Sequence, residues 1–433
     1  MERNLTTGSV LKNILYFSLP YLLSYFLQTL YGMADLFIIG QFDGVASTTA
    51  VSVGSQVMHM ITVMLVGLAM GTTVTIGQAV GANNREKASK TVGNTVVLFM
   101  VLSVVLMAVL LLLVHPIVAI MSTPEEAVAG TVSYLTICFI GIPCITAYNI
   151  ISSIFRGLGD PKSPMYFIAI ACVANIGLDY LFMGTFRMGP AGAALGTILA
   201  QALSVVIALL MTLKRKMITV TKTDFFPQKE SMGQIARIGI PIALQDGLIQ
   251  VAFIVITIIA NRRGLSDAAA VGIVEKMPSS MLSTVSALGA QNIGAGKPER
   301  AIQTLRYAIF ITVGFGVIIS VTIQFAAAPV VGLFTTDAAV VVLGTQYIRG
   351  YIWDCIFAGI HFSFSGYFCA CARSELSFIH NITAIVLVRV PGAYLTSKMF
   401  PDTLFPMGLA TAAGSLTSVV ICLIAFSYLR RRQ

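Results

Sequence analysis

Charged side chains are scarce in this sequence. They make up 10% of its 433 residues, whereas soluble domains carry about 25%. Hydrophobic residues account for 57% of the chain and the mean hydropathy is +0.88. This composition excludes a soluble protein and indicates an all-α protein that crosses a lipid bilayer many times. Lysine and arginine outnumber aspartate and glutamate by 27 to 18, but we expect no nucleic-acid partner, because the loop distribution described below explains the excess.

Motifs for catalysis, metal binding and nucleotide binding are also lacking. The four histidines form no H-E-x-x-H or Ser/His/Asp set, and His59, His361 and His380 share no spacing, which favours a role in packing. Residues 294–297 resemble part of a phosphate loop but lack its G-x-x-x-x-G-K-[ST] spacing. The single C-x-C pair has no further metal ligands nearby. We therefore expect no enzyme, no cofactor and no ATP site, so that any transport would be driven by an ion gradient.

Long apolar runs dominate what is present. Twelve segments of the length of a membrane span can be marked: 14–40, 50–80, 92–114, 129–155, 163–184, 190–213, 235–260, 268–293, 304–328, 338–370, 376–397 and 405–429. The first segment is much longer than the apolar core of a cleavable signal peptide, so we expect it to remain as an anchor. The longest polar loop, 214–233, lies at the middle of the chain.

The basic residues predict the orientation of these segments. If the N-terminus is cytoplasmic, twenty lysines and arginines fall in cytoplasmic loops and tails, against four in outer loops. The positive-inside rule then places both termini in the cytoplasm. We expect a multi-pass protein of a prokaryotic plasma membrane.

The two halves of the sequence resemble each other. A proline near the start of segment 1, Pro20, matches Pro241 in segment 7. Met188-Gly189, where segment 6 opens, matches Met407-Gly408, where segment 12 opens; the offsets are 221 and 219 residues. Six spans per half give both halves the same orientation, as in transporters that work by alternating access. We predict two six-helix bundles, 1–213 and 234–433, joined by a cytoplasmic linker, 214–233.

Ionisable residues inside the segments are distributed unevenly between the halves. The first half has two acids, Asp35 and Asp179, and no base. The second half has three acids and three bases that can pair with one another: Asp246, Glu275, Lys276, Arg349, Asp354 and Arg389. Because charges inside a membrane must be paired or neutralised, the acids of the first half need a mobile cation or protons. The second-half set is interpreted as a charge network of ion pairs.

Depth places the first-half acids together. Asp35, Asp179 and Thr197 each lie six or seven residues from the outer end of their segment, or ~9–10 Å at ~1.5 Å per residue. Asn175 lies one turn before Asp179, and Gln201 lies one turn after Thr197. Carboxylate, amide and hydroxyl oxygens suit Na⁺ as a hard cation, and two carboxylates can share a proton. Both ions stay open, as does the alternative that the amide and hydroxyl only bond across helices.

Several of these stretches, taken together, resemble a known family. They are M-A-D-L-F-I-I-G after the first proline, R-G-L-G-D-P-K, and N-I-G-L-D-Y-L-F followed by M-G-P-A-G-A-A-L-G-T. In combination, and over essentially the whole chain, they are similar to the multidrug and toxic compound extrusion (MATE) family, nearest to its prokaryotic DNA-damage-inducible branch. The resemblance implies a V-shaped pair of bundles that exports organic cations or other drugs against inward Na⁺ or H⁺.

Residue by residue, the resemblance assigns roles to several side chains. It implies a kink at Pro20, a cation or proton site at Asp35, Asn175, Asp179 and Thr197, and polar cavity positions at Gln28 and Asn149, to which we add Gln201. Some relatives carry coupling acids in helices 7 and 10 of the second half. Here Asp246 lies earlier than that pattern requires and Asp354 has Arg349 one turn away, so the resemblance does not assign a second cation site to these acids.

The sequence thus favours a cation-coupled multidrug antiporter that acts as a monomer on small, apolar organic cations. Two alternatives remain open. A flippase for a lipid-linked saccharide would need a strongly cationic cavity, whereas the first half is anionic. An integral membrane enzyme acting on lipids would need a catalytic set at one membrane face, and none is visible. A channel is disfavoured by the repeats and the buried acids.

Overall fold

The chain, as a computed structural model, is described over residues 5–215, 220–262, 281–333 and 337–431. Nearly all of these residues are helical and none of them forms a strand, since backbone groups in a bilayer must be bonded within the segment. The helices are α1 (Val10–Phe42), α2 (Val45–Gly81), α3 (Arg85–Leu112), α4 (Val114–Ile120), α5 (Glu125–Ile140), α6 (Ile142–Gly157), α7 (Lys162–Asp179), α8 (Gly189–Arg215), α9 (Lys229–Asn261), α10 (Leu282–Gly294), α11 (Pro298–Gly332), α12 (Ala338–Tyr351), α13 (Asp354–Ala370), α14 (Ser374–Ala384), α15 (Val390–Met399) and α16 (Phe405–Arg430).

Nine helices within the described ranges are long and apolar enough to cross a membrane. Helix α7 reaches this length through a π-helical turn, Tyr180–Thr185, and α14 joins α15 through a second one, Ile385–Arg389. A tenth span consists of α5 and α6, which are bent by 50°. The break falls at Gly141 and Pro143, because proline removes a backbone donor from the helix. The expected segment 268–293 lies partly outside the described residues.

The expected segment 338–370 is also interrupted, between α12 and α13. Ile352 and Trp353 separate the two helices. The carbonyl of Ile352 accepts two hydrogen bonds of 3.1 Å, one from the backbone N–H of Cys355 and one from the hydroxyl of Ser320 on α11, so this backbone acceptor stays paired at the break. The break also places Asp354 in the first turn of α13, where the positive end of the helix dipole favours an acid.

Two compact units divide the described chain. The first contains residues 5–8, 15–239 and 294–296, and the second contains the described residues of 9–14, 240–293 and 297–433. Each unit has its own apolar core, with fully buried rings such as Phe139 and Phe155 in the first unit and Tyr347 and Phe368 in the second. Helix α9 passes from one unit to the other immediately before Pro241.

The end of the linker is fixed to the first unit by one side chain. Asn94, on α3, donates through Nδ2 to the carbonyls of Asp224 and Phe226 at 3.2 and 3.4 Å and accepts through Oδ1 from the backbone N–H of Gln228 at 2.6 Å. Gly93 beside it leaves no room for a Cβ against the carbonyl of Asp224. The amide of Asn94 therefore satisfies three backbone groups of a segment with little regular structure.

We expect Asn94→Ala to release this segment. Loss of the three bonds leaves buried backbone groups unsatisfied, which lowers the free energy of unfolding of the first unit by about 1–3 kcal/mol. Trypsin cleavage after Lys222, in the purified protein, should then become faster. Asn94→Asp is the matched control, because it keeps the acceptor for the N–H of Gln228 but loses the donor. Its cleavage rate should lie between those of the wild-type protein and Asn94→Ala. Equal cleavage rates in all three proteins would contradict this anchoring role.

Candidate cation site in the first unit

Asp35 lies in the last third of α1 and is 3% exposed. Its Oδ2 accepts a hydrogen bond from the hydroxyl of Thr197, on α8, at 3.2 Å, while its Oδ1 has no hydrogen-bond partner in the described structure. The sequence predicted that these two residues lie at the same depth. In the structure they are in direct contact, although they are 162 residues apart in the chain.

Helix α7 adds an amide and a second carboxyl group to this site. Asn175 and Asp179 are both fully buried on one face of α7, and both lie near Asp35, whose charge acts on the carboxyl group of Asp179. No polar side-chain atom of either residue has a hydrogen-bond partner among the described residues. Asp179 is the last residue of α7 before its π-helical turn, and such turns occur frequently at functional sites.

Helix α8 approaches Asp179 through a glycine. A Cβ added at Gly196 would collide with Oδ1 of Asp179, so the carboxyl group lies directly against the α8 backbone. Thr197 follows immediately, and Gln201 lies one turn further, 6% exposed, with its Oε1 unpartnered in the described structure. The absence of a side chain at Gly196 thus allows the carboxyl groups of Asp35 and Asp179 and the hydroxyl of Thr197 to lie close together.

Sequence reasoning missed the aromatic side of the site. Tyr31 lies one turn before Asp35 on α1, and its hydroxyl interacts with Thr197 and Asp35. Tyr134 on α5 is buried, shares a hydrogen bond of 3.1 Å with Ser55, and acts on the same carboxyl group. The one-turn spacing from Asp35 could have identified Tyr31. Nothing in the sequence separates Tyr134 from the other tyrosines of the apolar segments.

The charge of the site is unbalanced. In the parts of the chain that the structure describes, no lysine or arginine forms an ion pair with Asp35 or Asp179. Two ionised carboxylates so close together, away from water, repel each other and lose hydration. The oxygens of the two acids, Asn175 and Thr197 form a hard donor set that can surround a small cation, or the acids can take up protons. The described residues contain no group of three histidines, cysteines or acids able to hold a metal ion.

The other residues singled out in the first half lie at varied exposures. Gln28 is half-buried on α1, and Asn149 is 5% exposed on α6, where its amide donates to the carbonyl of Ile145 at 2.9 Å. Pro20 is buried inside an uninterrupted α1. The hydroxyl of Ser24 donates to its carbonyl at 2.8 Å, and such bonds, like the missing proline N–H, favour bending of a helix.

The second-half charge network differs from its expected form. Asp354 pairs with Arg389 at 3.5 Å, and the guanidinium lies 5.3 Å from the ring centroid of Phe253. Arg349, the nearer base in sequence, is exposed, and Asp246 is half-buried beside Gln245. Asp354 therefore forms an ion pair with Arg389 and not with Arg349, the base nearest to it in sequence. Glu275 and Lys276 lie outside the described residues.

Comparisons with known proteins identify related chains. The family model MatE matches residues 20–181 and 241–395. Probable multidrug resistance protein YpnP of Bacillus subtilis (strain 168) is 29% identical, over 90% of this chain and 89% of the relative. The FAD transporter of Shewanella oneidensis is 26% identical, over 90% and 88%.

A crystal structure of MATE in complex with MaL6 superposes on this chain with a TM-score of 0.89 at 23% identity, covering 99% of this chain and 97% of that one. This similarity confirms the expected fold class, an all-α membrane protein with twelve spans in two bundles.

Proposed function

This chain belongs to the MatE family of membrane transporters, and on that premise we propose that it exports small organic cations and drugs in exchange for inward Na⁺ or H⁺. The relative named above as a probable multidrug resistance protein supports the substrate class. The observation that carries the coupling is the pair of buried acids, Asp35 and Asp179, neither of which forms an ion pair with a lysine or arginine in the described part of the chain. We further propose that the protein acts as a monomer in a prokaryotic plasma membrane, with both termini in the cytoplasm.

Exchange follows from the electrostatics of this site. With the site empty, two carboxylates repel each other, and a cation or protons entering from the outer side remove that repulsion. The neutralised site draws α1, α7 and α8 together through Asp35, Asp179 and Thr197. A bend of α1 near Pro20 then changes the surface that faces a bound drug, so that ion binding favours drug release. Alternating access requires only that each ligand binds one conformation better than the other.

The experiment that tests this function is transport in proteoliposomes under separately imposed gradients. We expect accumulation of a fluorescent organic cation, such as ethidium, to require either an Na⁺ gradient or a pH gradient and to stop when that gradient is dissipated. One gradient alone should be sufficient to drive accumulation, and binding of the ion should change the affinity for the drug by about 5–150-fold, the usual range of coupling between two sites. If ethidium accumulates as fast with neither gradient as with one of them, coupled antiport is contradicted.

A second candidate function is export of an anionic, flavin-containing substrate, as the name of one relative indicates. Arg156, counted among loop residues in the sequence, lies inside α6 and is 9% exposed. It donates to Ser153 at 2.9 Å, lies 5.6 Å from the ring centroid of Tyr21, and pairs with no carboxylate among the described residues. A buried guanidinium without a counter-ion can bind phosphate. If FAD is the substrate, it should be exported by the same proteoliposomes and its export reduced by Arg156→Gln.

A further inference from the structure

Two buried histidines meet in the second unit, although nothing in their spacing links them. His361, on α13, is 3% exposed and His380, on α14, is fully buried. Their ring centroids are 5.5 Å apart with the rings at 66°. The sequence favoured simple packing for each of them, but ionisable side chains inside a membrane are costly and usually have a function.

The two imidazoles have unused proton-binding capacity. Nε2 of His380 shares a hydrogen bond of 2.8 Å with the hydroxyl of Ser365, which lies one turn after His361 on α13. The Nδ1 atoms of both rings are buried and have no hydrogen-bond partner among the described residues. A neutral imidazole has one donor and one acceptor nitrogen, so each unpartnered nitrogen is either a free acceptor or a free donor. A buried nitrogen in that state costs about 1–3 kcal/mol. A proton bound at an acceptor nitrogen turns it into a donor, at the cost of burying one positive charge.

Charged neighbours approach the pair from one side. Arg389 acts electrostatically on His361 and is paired with Asp354, so the surroundings have one positive and one negative group. The side chains that face the pair from α16 include the neutral Ser418, which donates to the carbonyl of His380 at 3.2 Å. Further along α13, Cys369 faces Asp246 of α9. A proton on His361 would therefore repel Arg389.

The position of Arg389 is set by an unusual backbone. Arg389 is the last residue of the π-helical turn, and Pro391 follows in the first turn of α15. Proline lacks the N–H for the helix ladder and its ring displaces a carbonyl four residues earlier, which favours such a widened turn. Gly414 on α16 leaves the space, because a Cβ there would lie 2.9 Å from Cβ of Arg389.

We propose that His361 and His380 form a proton-binding site of the second unit, separate from the carboxylates of the first. A proton held by the pair weakens the Arg389–Asp354 contact and so links protonation to the arrangement of α13, α14 and α16. Imidazole nitrogens bind protons but are poor ligands for Na⁺. The site is therefore specific for H⁺, whichever ion occupies the site at Asp35. Its use in coupling rests on the antiport function proposed above; proton binding itself does not.

Nitrogen NMR of ¹⁵N-histidine-labelled full-length protein tests proton binding directly. The double variant His59→Gln/His115→Gln leaves only these two rings, and both replaced residues are exposed. We expect one proton to be taken up by the pair as the pH falls, with both ring signals changing at the same pH. Arg389→Gln removes the repelling charge and should move this midpoint upward by about one pH unit or more. Two neutral rings at every pH at which the protein stays folded would overturn the proposal, as would a midpoint that Arg389→Gln does not move.

Transport separates coupling from mere binding. In proteoliposomes, His361→Asn should abolish most of the pH-driven export and remove the pH-dependent part of the drug affinity, ~10-fold for a coupling of ~1.4 kcal/mol. Drug binding at high pH, where the pair holds no proton, should stay unchanged. An unchanged pH-driven rate would overturn the coupling role. If the wild-type protein exports no drug under any gradient, the proposed function fails, and the NMR titration still decides whether the histidines bind a proton.

Discussion

Replacing Asp35 by asparagine should reduce gradient-driven export to the rate of liposomes without protein. Asparagine keeps the shape of the side chain and an oxygen that can accept from Thr197 at the observed 3.2 Å, so the helix contacts survive. What is lost is the charge that binds the ion. Charge-assisted contacts contribute ~1.5–3 kcal/mol each, and with Asp179 left alone we expect ion affinity to fall on the order of 100-fold. Ion-driven uptake of ethidium into inverted proteoliposomes measures the loss.

The matched control for this variant is Asp43→Asn. Asp43 follows α1 directly, is exposed, and bonds the backbone N–H of Gly44 at 2.9 Å, which asparagine can also do. The substitution Asp43→Asn removes an acid from the same part of the chain but leaves the buried site intact. Export by this variant should remain at the wild-type level. Asp35→Asn should also unfold at an equal or higher temperature without the ion, because a desolvated charge has been removed. Wild-type export by Asp35→Asn would show that the site does not couple.

The sequence supplied the members of this site because their chemistry is unusual in a membrane. Acids are rare in apolar segments, so counting them isolated Asp35 and Asp179, and the depth of each segment then brought Thr197 alongside. Tyr31 and Gly196 could not be recognised in this way, since tyrosine and glycine are common in such helices. That Gly196 makes room for a carboxyl group, and does not simply let two helices approach, depends on tertiary contacts.

The second half shows where reasoning from separation in sequence fails. Arg349 lies five residues before Asp354 and was its expected neighbour, but the helix breaks at Ile352 and Trp353, so the two no longer lie on successive turns of one helix. Arg389, which lies 35 residues after Asp354, is the base that pairs with it. A π-helical turn and a glycine on another helix, Gly414, position Arg389 for this contact. Apolar runs predict that a helix exists; breaks and widened turns depend on single bonds that hydropathy does not report.

Replacing Gly196 by alanine should disable the site without removing any of its polar groups. The new Cβ would collide with Oδ1 of Asp179 and lie 3.4 Å from its Cγ, so either the carboxyl group turns away from Asp35 or α8 moves outward. Overpacking of this kind costs about 1–3 kcal/mol. We expect a lower unfolding temperature in detergent and, more specifically, loss of most of the stabilisation that the coupling ion gives the wild-type protein.

Gly177→Ala separates this effect from a general response of the helices to a methyl group. Gly177 lies on α7 between Asn175 and Asp179, is exposed, and a Cβ there meets no atom within 4 Å. Alanine should therefore keep the ion response and raise helix stability by about 0.5–1 kcal/mol. If Gly196→Ala keeps the full ion-dependent shift in unfolding temperature, the close contact between Asp179 and the backbone of α8 is not required for ion binding. If instead only Gly196→Ala loses that shift, ion binding requires both acids in the described arrangement, since every charge and hydrogen-bonding group is still present.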